Sequence, residues 1–400
     1  MSGRVTYAAV LAVHEFRAMW LAELASILGD QLARVALAVL VYDRTASAGL
    51  TGLTYALSYL PSMAGGLLLS GLADRYPRRN VMVVADVARG VLVLLMAVPG
   101  TPLWLLCVLL AALTTLHGPF KAAQLALLND VLEGESYTIG LAIRHMTIQA
   151  AQLAGFAGGG ALIAVLSPSL GLALDALTFL VSAALVWGGV TRRPAPAPRG
   201  RGEAGVKWSV WKDPGLVVLL LLAWLCGLHV APEALAAPYA DDLGQGAVAV
   251  GILMAADPAG SVIGAFLFTR LLSEPVRIRL IGVLAVVAGI PLLFGFLYLP
   301  LLGSVALFAI SGAFSMAYHT QLGASFARRL PDYGRARGLG VLSTGVTTVQ
   351  GAGALLVGVV ADRVGAGWAI TLAGAAAVLL AIPCAFTWAR LRQESPEPAR

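Results

Sequence analysis

The stretch FRAMWLAELASILGDQLARVALAVLVYDRTAS, residues 16–47, decides what kind of protein this is. From Ala18 to Val41 it is mostly Leu, Ala and Val, with only Glu23, Asp30 and Arg34 charged. About 20 predominantly apolar residues are what a helix needs to cross a bilayer core. The three charges are seven and four residues apart, so at about 100° per residue they fall within roughly 40° on one stripe. Charges at that depth are costly unless they pair or face water. The stripe is therefore expected to point at a central cavity rather than at lipid.

The rest of the chain repeats the pattern. Apolar residues make up 59% of the 400 and charged residues 12%, about half the charge usual in soluble domains. A soluble fold has too little interior for so much apolar sequence. Apolar segments lie near 16–42, 50–72, 80–99, 103–128, 138–165, 170–190, 214–238, 247–271, 278–299, 301–325, 336–360 and 366–389. The expected fold is an all-α membrane protein with twelve transmembrane helices in two six-helix lobes, 1–190 and 214–390. A linker at 191–213 and a tail at 391–400 complete it. The start, MSGRVTYAAVLAVHEFRAMW, lacks a small-residue cleavage site and reads as an amphipathic lead-in to the first helix.

Basic residues give the orientation. With the amino terminus inside, inner loops and ends carry 24 Lys and Arg, the outer side only Arg44 and Arg363, and Arg34 lies within the first helix. The positive-inside rule then puts both termini and the linker in the cytoplasm of a plasma (bacterial inner) membrane protein. It also accounts for the net charge of +6 without nucleic acid. Cys107, Cys226 and Cys384 sit singly in apolar runs, with no spacing for a disulfide framework or a metal site. The Pro/Ala/Arg-rich stretch TRRPAPAPRGRGEAGVKWSVWKDP (191–214) reads as a tether. Across it the halves echo each other at an offset of 198: Gly140-Leu141 with Gly338-Leu339, Gln152 with Gln350, Ala154-Gly155 with Ala352-Gly353, Gly160 with Gly358, Arg79 with Arg277. Paired halves with a site between them are common in secondary transporters.

After the second segment the chain reads GLADRYPRRNVMVVADVARG, residues 71–90. This resembles the loop 2–3 signature of the major facilitator superfamily. Gly71, Asp74, Arg75, Arg78, Arg79, Asp86 and Arg89 match the longer pattern of its branch of enterobactin exporters and macrolide-efflux proteins. The first helix, 16–47, and LALDALTFLVSAAL, 172–185, are similar to that branch as well, and RRLPDYGRARGLGV, 328–341, is the best local match in the second half. The resemblance implies a conformational-switch role for the 71–90 loop and efflux of a small amphipathic molecule such as a drug, macrolide or siderophore. It departs from the antiporter pattern at LAGFAGGGAL, 153–162, where Phe156 replaces a proline beside Gly155, Gly158, Gly159 and Gly160. From physics alone the loop charges are equally a positive-inside anchor at the membrane boundary.

Further candidates come singly. Asp30 and Arg34 can pair at i,i+4; Glu23, Asp30 and Arg34 are either a structural ion cluster or a proton-coupling group. Asp257, just before Pro258, shows no in-helix partner and is the other proton-coupling candidate. His117, Lys121 and Gln124 share a face, Arg144 and Gln152 lie on the next segment, and His229, His319 and Gln350 sit in the second half; these are substrate-cavity candidates. A lone His such as His229 or His319 also reads as a hydrogen-bonded core residue. Glu233, four residues after His229, reads as a solvated outer charge. No nucleotide-binding loop, catalytic constellation, cofactor motif or metal set stands out. The expected function is proton-coupled secondary transport by a monomer, with uptake, uncoupled flux or a transport-inactive sensor as the other readings.

Overall fold

The computed structural model describes residues 6–69, 71–194, 209–331 and 334–394, without the side chains of Leu67, Ala73, Asp74, Ala336 and Glu394. The Asp74 carboxylate, positions 195–208 of the linker and the tail from 395 lie outside the described residues.

Every regular element among the described residues is helical. A short helix, Tyr7–Ala12, is capped by Thr6, whose Oγ1 accepts from Ala9 N. Six segments follow in the first half: α1 His14–Thr45, α2 as Ala48–Leu57 and Leu60–Leu69, α3 Arg78–Met96, α4 as Leu103–Thr115 and His117–Val131, α5 Gly134–Val165 and α6 Pro168–Gly189. The second half holds α7 as Pro214–Trp224, Cys226–His229, Ala231–Ala234 and Ala236–Asp242, then α8 Ala247–Leu271. Next come α9 Glu274–Gly289 with the 3₁₀ turn Pro291–Leu297, α10 Leu301–Arg329, α11 Arg335–Val364 and α12 Ala366–Glu394. Leu103 and Leu301 open equivalent helices, and so do Pro168 and Ala366, in both cases 198 residues apart. At these two pairs the offset of the sequence echo is also the offset of the helix starts.

Among the described residues, ten helices are long and apolar enough to cross a membrane. The other two of the twelve segments have visible reasons for missing that measure. In α2 the helix is interrupted at Ser58 and Tyr59, ahead of Pro61, whose ring removes a backbone donor. In α3 the charges Arg78, Arg79, Asp86 and Arg89 dilute the apolar run. Breaks also divide α7, which the sequence reads as one helix. Pro232 and Pro238 each lack an N–H, and Leu225, Val230 and Leu235 interrupt the helical run. His229 and Glu233 accordingly sit on separate short turns, and Glu233 is half-buried rather than exposed.

By packing the chain divides into two units. One is Met1–Leu40 with Leu57–Arg201; the other is Val41–Ala56 with Gly202–Arg400. Phe16, Met82, Phe120, Leu127, Leu128 and Val186 anchor the core of the first. Leu216, Leu219, Leu220, Ile281, Tyr318, Phe326 and Trp388 anchor that of the second. Large apolar side chains such as Val165, Leu302 and Leu379 are exposed by 85%, 80% and 68%, the outward greasy surface that a lipid solvent requires.

The second unit thus includes the turn between α1 and α2. Ala46 adopts a positive φ of 48° there. Asp362 on α11 accepts from the Ser47 hydroxyl at 3.0 Å and from Gly49 N–H at 3.0 Å, at the amino-terminal end of Ala48–Leu57, where the helix dipole favours an anion. Below it Gly358 and Gly52 meet face to face: a Cβ on Gly358 would lie 2.8 Å from Ala48 O and 3.1 Å from Gly52 Cα. The absence of both side chains lets the two backbones approach this closely.

Candidate functional site

The charged stripe on α1 and one face each of α3, α4 and α5 enclose a cavity of about 150 Å³ within the first unit. On α1 it is lined by Glu23, Ser26, Ile27, Asp30, Gln31 and Arg34, the 3–4 residue spacing of a single helix face. Across from them stand Arg89 of α3, His117, Phe120, Lys121 and Gln124 of α4, and Ile148 and Gln152 of α5. Close approach of α5 to α1 is set by small residues: a Cβ on Gly155 would meet Gln31 Cβ at 2.7 Å, and one on Gly159 would meet Leu32 Cα at 3.3 Å. Gly158, by contrast, has open space where its Cβ would be.

The charges in this cavity are not equally held. Glu23, 7% exposed, takes two hydrogen bonds of 2.6 Å from Arg144 Nε and Nη2, a bidentate pair. Arg144 Nη2 also donates to Gln124 Oε1 at 2.9 Å, so α1, α4 and α5 are locked through one guanidinium. Arg89 is shared: its Nη1 donates to Asp86 at 3.3 Å and its Nη2 to Asp30 at 3.5 Å. Its guanidinium also stacks 4.1 Å from the Phe179 ring centroid. Asp86 accepts a 2.6 Å bond from the Ser182 hydroxyl on α6. Arg34 Nη1 donates to Tyr59 Oη at 3.3 Å and lies 5.1 Å from that ring. Asp30 is therefore paired across to α3, where the spacing suggested Arg34 on its own helix.

Of the loop 71–90 charges, the structure splits what the sequence grouped. Arg78, at the start of α3, pairs with Asp130 and donates to Ala126 O, and Arg79 covers the Trp187 ring at 4.4 Å. Arg75 ends a short turn, Leu72–Arg75, whose N-cap is Gly71. Asp86 and Arg89 are elsewhere: they lie two and three turns into α3, 0% and 3% exposed, and join the cavity network. Arg79, Asp86 and Arg89, seven and three residues apart, fall on one side of α3, and that side continues inward.

The second unit holds the remaining candidates apart from this cavity. Asp257 on α8 does have an in-helix partner, Ser261 one turn on, which donates at 3.4 Å and also reaches Gly312 O at 3.3 Å. His229 Nδ1 meets Leu225 O at 3.0 Å. In His319, Nδ1 faces Ser315 O at 2.9 Å and Nε2 faces Ala223 O at 3.0 Å. A neutral imidazole can donate to only one of two carbonyls. Gln350 is half-buried on α11. Outside the helices, Asp213 caps α7 through Gly215 and Leu216 N–H and binds Arg329 Nε at 2.8 Å. Burial pushes the Asp213 carboxyl up, but Arg329 and the two amides pull it further down, to below its ordinary value.

Sequence reasoning missed Asp175, which is fully buried on α6 and bonded through Oδ1 to the Thr178 hydroxyl at 3.2 Å. A single acid in the apolar run LALDALTFLV was the signal for it. Gln31 was missed too; a polar residue beside the stripe on α1 is its only mark.

Residues 19–318 and 230–400 match the family model described as Major Facilitator Superfamily. No curated protein matches in sequence. Among solved structures the chain is similar to a bacterial homolog of the human lysosomal transporter Spinster in an inward-facing, occupied conformation (TM-score 0.75, 14% identity, 99% of this chain and 100% of that one). It is also similar to the nucleoside transporter NupG (0.71, 13%, 93% and 99%). A bacterial homologue of the iron transporter ferroportin is a third (0.68, 18%, 94% and 99%). At such identities the likeness is one of fold.

Proposed function

The chain belongs to the major facilitator superfamily, and on that premise we propose that it exports a small amphipathic organic molecule across the plasma membrane in exchange for protons. Efflux is supported by the similarity of 16–47, 71–90 and 172–185 to enterobactin and macrolide exporters. The 24-to-2 basic asymmetry supports termini on the cytoplasmic side; a reporter fused at Arg400 and scoring outside would overturn that orientation.

The observation that carries proton coupling is the unequal grip on the two carboxylates of the α1 stripe. Glu23 is clamped by two 2.6 Å bonds, whereas Asp30 is held by one 3.5 Å contact from an arginine that Asp86 shares. An acid that moves protons needs a partner it can leave, because its charged form must be favoured in one access state and its neutral form in the other. A small shift of α3 against α1 changes Asp30 pairing and leaves the Glu23 pair intact. Asp30 is thus the coupling acid, Glu23 a strut, and Asp257 the acid to test next.

Asp30→Asn fixes the uncharged form. In proteoliposomes loaded with labelled substrate, this variant should lose accumulation driven by a pH gradient and retain exchange at equal pH, which needs no net proton movement. Wild-type gradient-driven flux in Asp30→Asn sinks the assignment.

A further inference from the structure

Of the charged side chains that line the cavity, one cation makes no contact with any of the others. Glu23 is taken by Arg144 and Asp30 by Arg89, so both carboxylates that line the cavity have a guanidinium partner. Arg34 is tied to Tyr59. Lys121, exposed on the same wall, has neither an ion pair nor a hydrogen bond among the described residues. Two further acids of this interior do not line the cavity: Asp86 shares Arg89 with Asp30, and Asp175 accepts from Thr178 through Oδ1 while its Oδ2 is buried without a partner.

Gln124 adds a second unmet donor. Its Oε1 accepts from Arg144 Nη2, which fixes the amide the right way round, and its Nε2 is then buried with no acceptor. Gln124 is 2% exposed and lines the cavity three residues from Lys121, on the same helix face. Facing them on α1, Gln31 is 3% exposed and its Oε1 is buried with no donor. Buried polar atoms without partners are rare in folded proteins and call for an explanation.

We propose that the cavity receives the acid group of an organic anion, with Lys121 as its counterion, Gln124 Nε2 as a second donor, and Gln31 Oε1 accepting from an N–H or O–H beside the acid. This rests on the reading of the cavity as a transport site. A carboxylate offers acceptors to both unmet donors at once. A cationic ligand would meet Lys121 with both lining acids already engaged, and a neutral one would offer the ammonium no charged acceptor. Phe120, Ile27 and Ile148 supply an apolar wall, so an acid carried on an aromatic body is the class that fits.

Three molecules with the same indole body and different head charge test this: indole-3-acetate, indole-3-acetamide and tryptamine. Equilibrium binding of labelled indole-3-acetate to the full-length protein in lipid nanodiscs, without any gradient, should be saturable. The amide and the amine should compete on the order of tenfold more weakly or worse, ~1.4 kcal/mol. Lys121→Met should lose binding while Lys121→Arg retains it, and Gln124→Leu should weaken it. Absence of saturable binding to the wild type, or competition by tryptamine equal to that of the acid, overturns the proposal without reference to any variant. Full binding by Lys121→Met overturns it as well, and shows that lysine to be merely hydrated. Because no proton gradient enters, failure here leaves proton coupling through Asp30 standing, and failure of coupling leaves this result standing.

Discussion

The two halves follow one plan but are furnished differently. Positions 198 residues after Glu23, Asp86, Arg89, Gln124 and Arg144 are Leu221, Leu284, Val287, Leu322 and Leu342. Where the first half buries a network of ions, the second carries aliphatic side chains, of which Leu322 is buried and Leu221 is 42% exposed. Among the residues that line the cavity, Gln31 with His229, His117 with Ser315, Lys121 with His319 and Gln152 with Gln350 keep polarity on both sides. The backbone of this fold therefore does not need the ions: α4 and α10, or α6 and α12, start in register without them. On the reading proposed above, the charges kept at such desolvation cost in the first half are the ones that bind and couple.

The largest effect should come from breaking that network. Arg144→Met leaves Glu23 buried without its counterion and Gln124 Oε1 without its donor. The expected loss is about 3–5 kcal/mol in thermal or denaturant unfolding of the solubilised protein. Leu342→Met, at the matching position on the edge of the second core, should cost less than about 1.5 kcal/mol. Equal losses would break the comparison. A middle-sized effect is expected from glycines. Gly358→Leu drives a side chain into Ala48 O and Gly52 and should cost about 1–3 kcal/mol. Gly158→Leu in the first half, which faces open space, should stay within about 0.5 kcal/mol.

The smallest effect concerns the exposed ion pairs at the helix ends, Glu15 with Arg193 in the first unit and Asp213 with Arg329 in the second. Asp213→Asn should cost no more than about 1 kcal/mol, since its side chain is 32% exposed and screened. Its folded carboxyl titrates below the ordinary value, so its stabilisation is full above the unfolded-state value and vanishes as pH falls through the folded one. Stability curves of the wild type and Asp213→Asn should accordingly differ at neutral pH and converge in acid. A gap that widens on acidification would contradict the sign.

Much of this was legible in the sequence because it obeys local periodicity. The twelve segments, the α1 stripe and the shared face of His117, Lys121 and Gln124 follow from residue spacing alone. What escaped depends on which helices face each other. Asp30 finds Arg89 fifty-nine residues away rather than Arg34 four residues away, and no spacing rule reaches that far. Arg89 and Asp86 read as loop charges because Arg78 and Arg79 beside them do belong to a helix end. The breaks in α7 were written in Pro232 and Pro238, yet the hydropathy of 214–238 overrode that signal.

The turn that joins α1 to α2 also bears on how the protein is made. Gly49 and the carboxylate that caps it, Asp362, are 313 residues apart in the chain. At about 5–20 residues per second of synthesis, roughly 15–60 s pass between the two. Until α11 emerges from the ribosome, Ser47 and the Gly49 amide have no anion, and the small-residue face at Gly52 has no partner. The second unit therefore closes last, with one of the earliest segments to leave the ribosome waiting for one of the latest, and a nascent chain stopped before residue 362 keeps that face open to other helices.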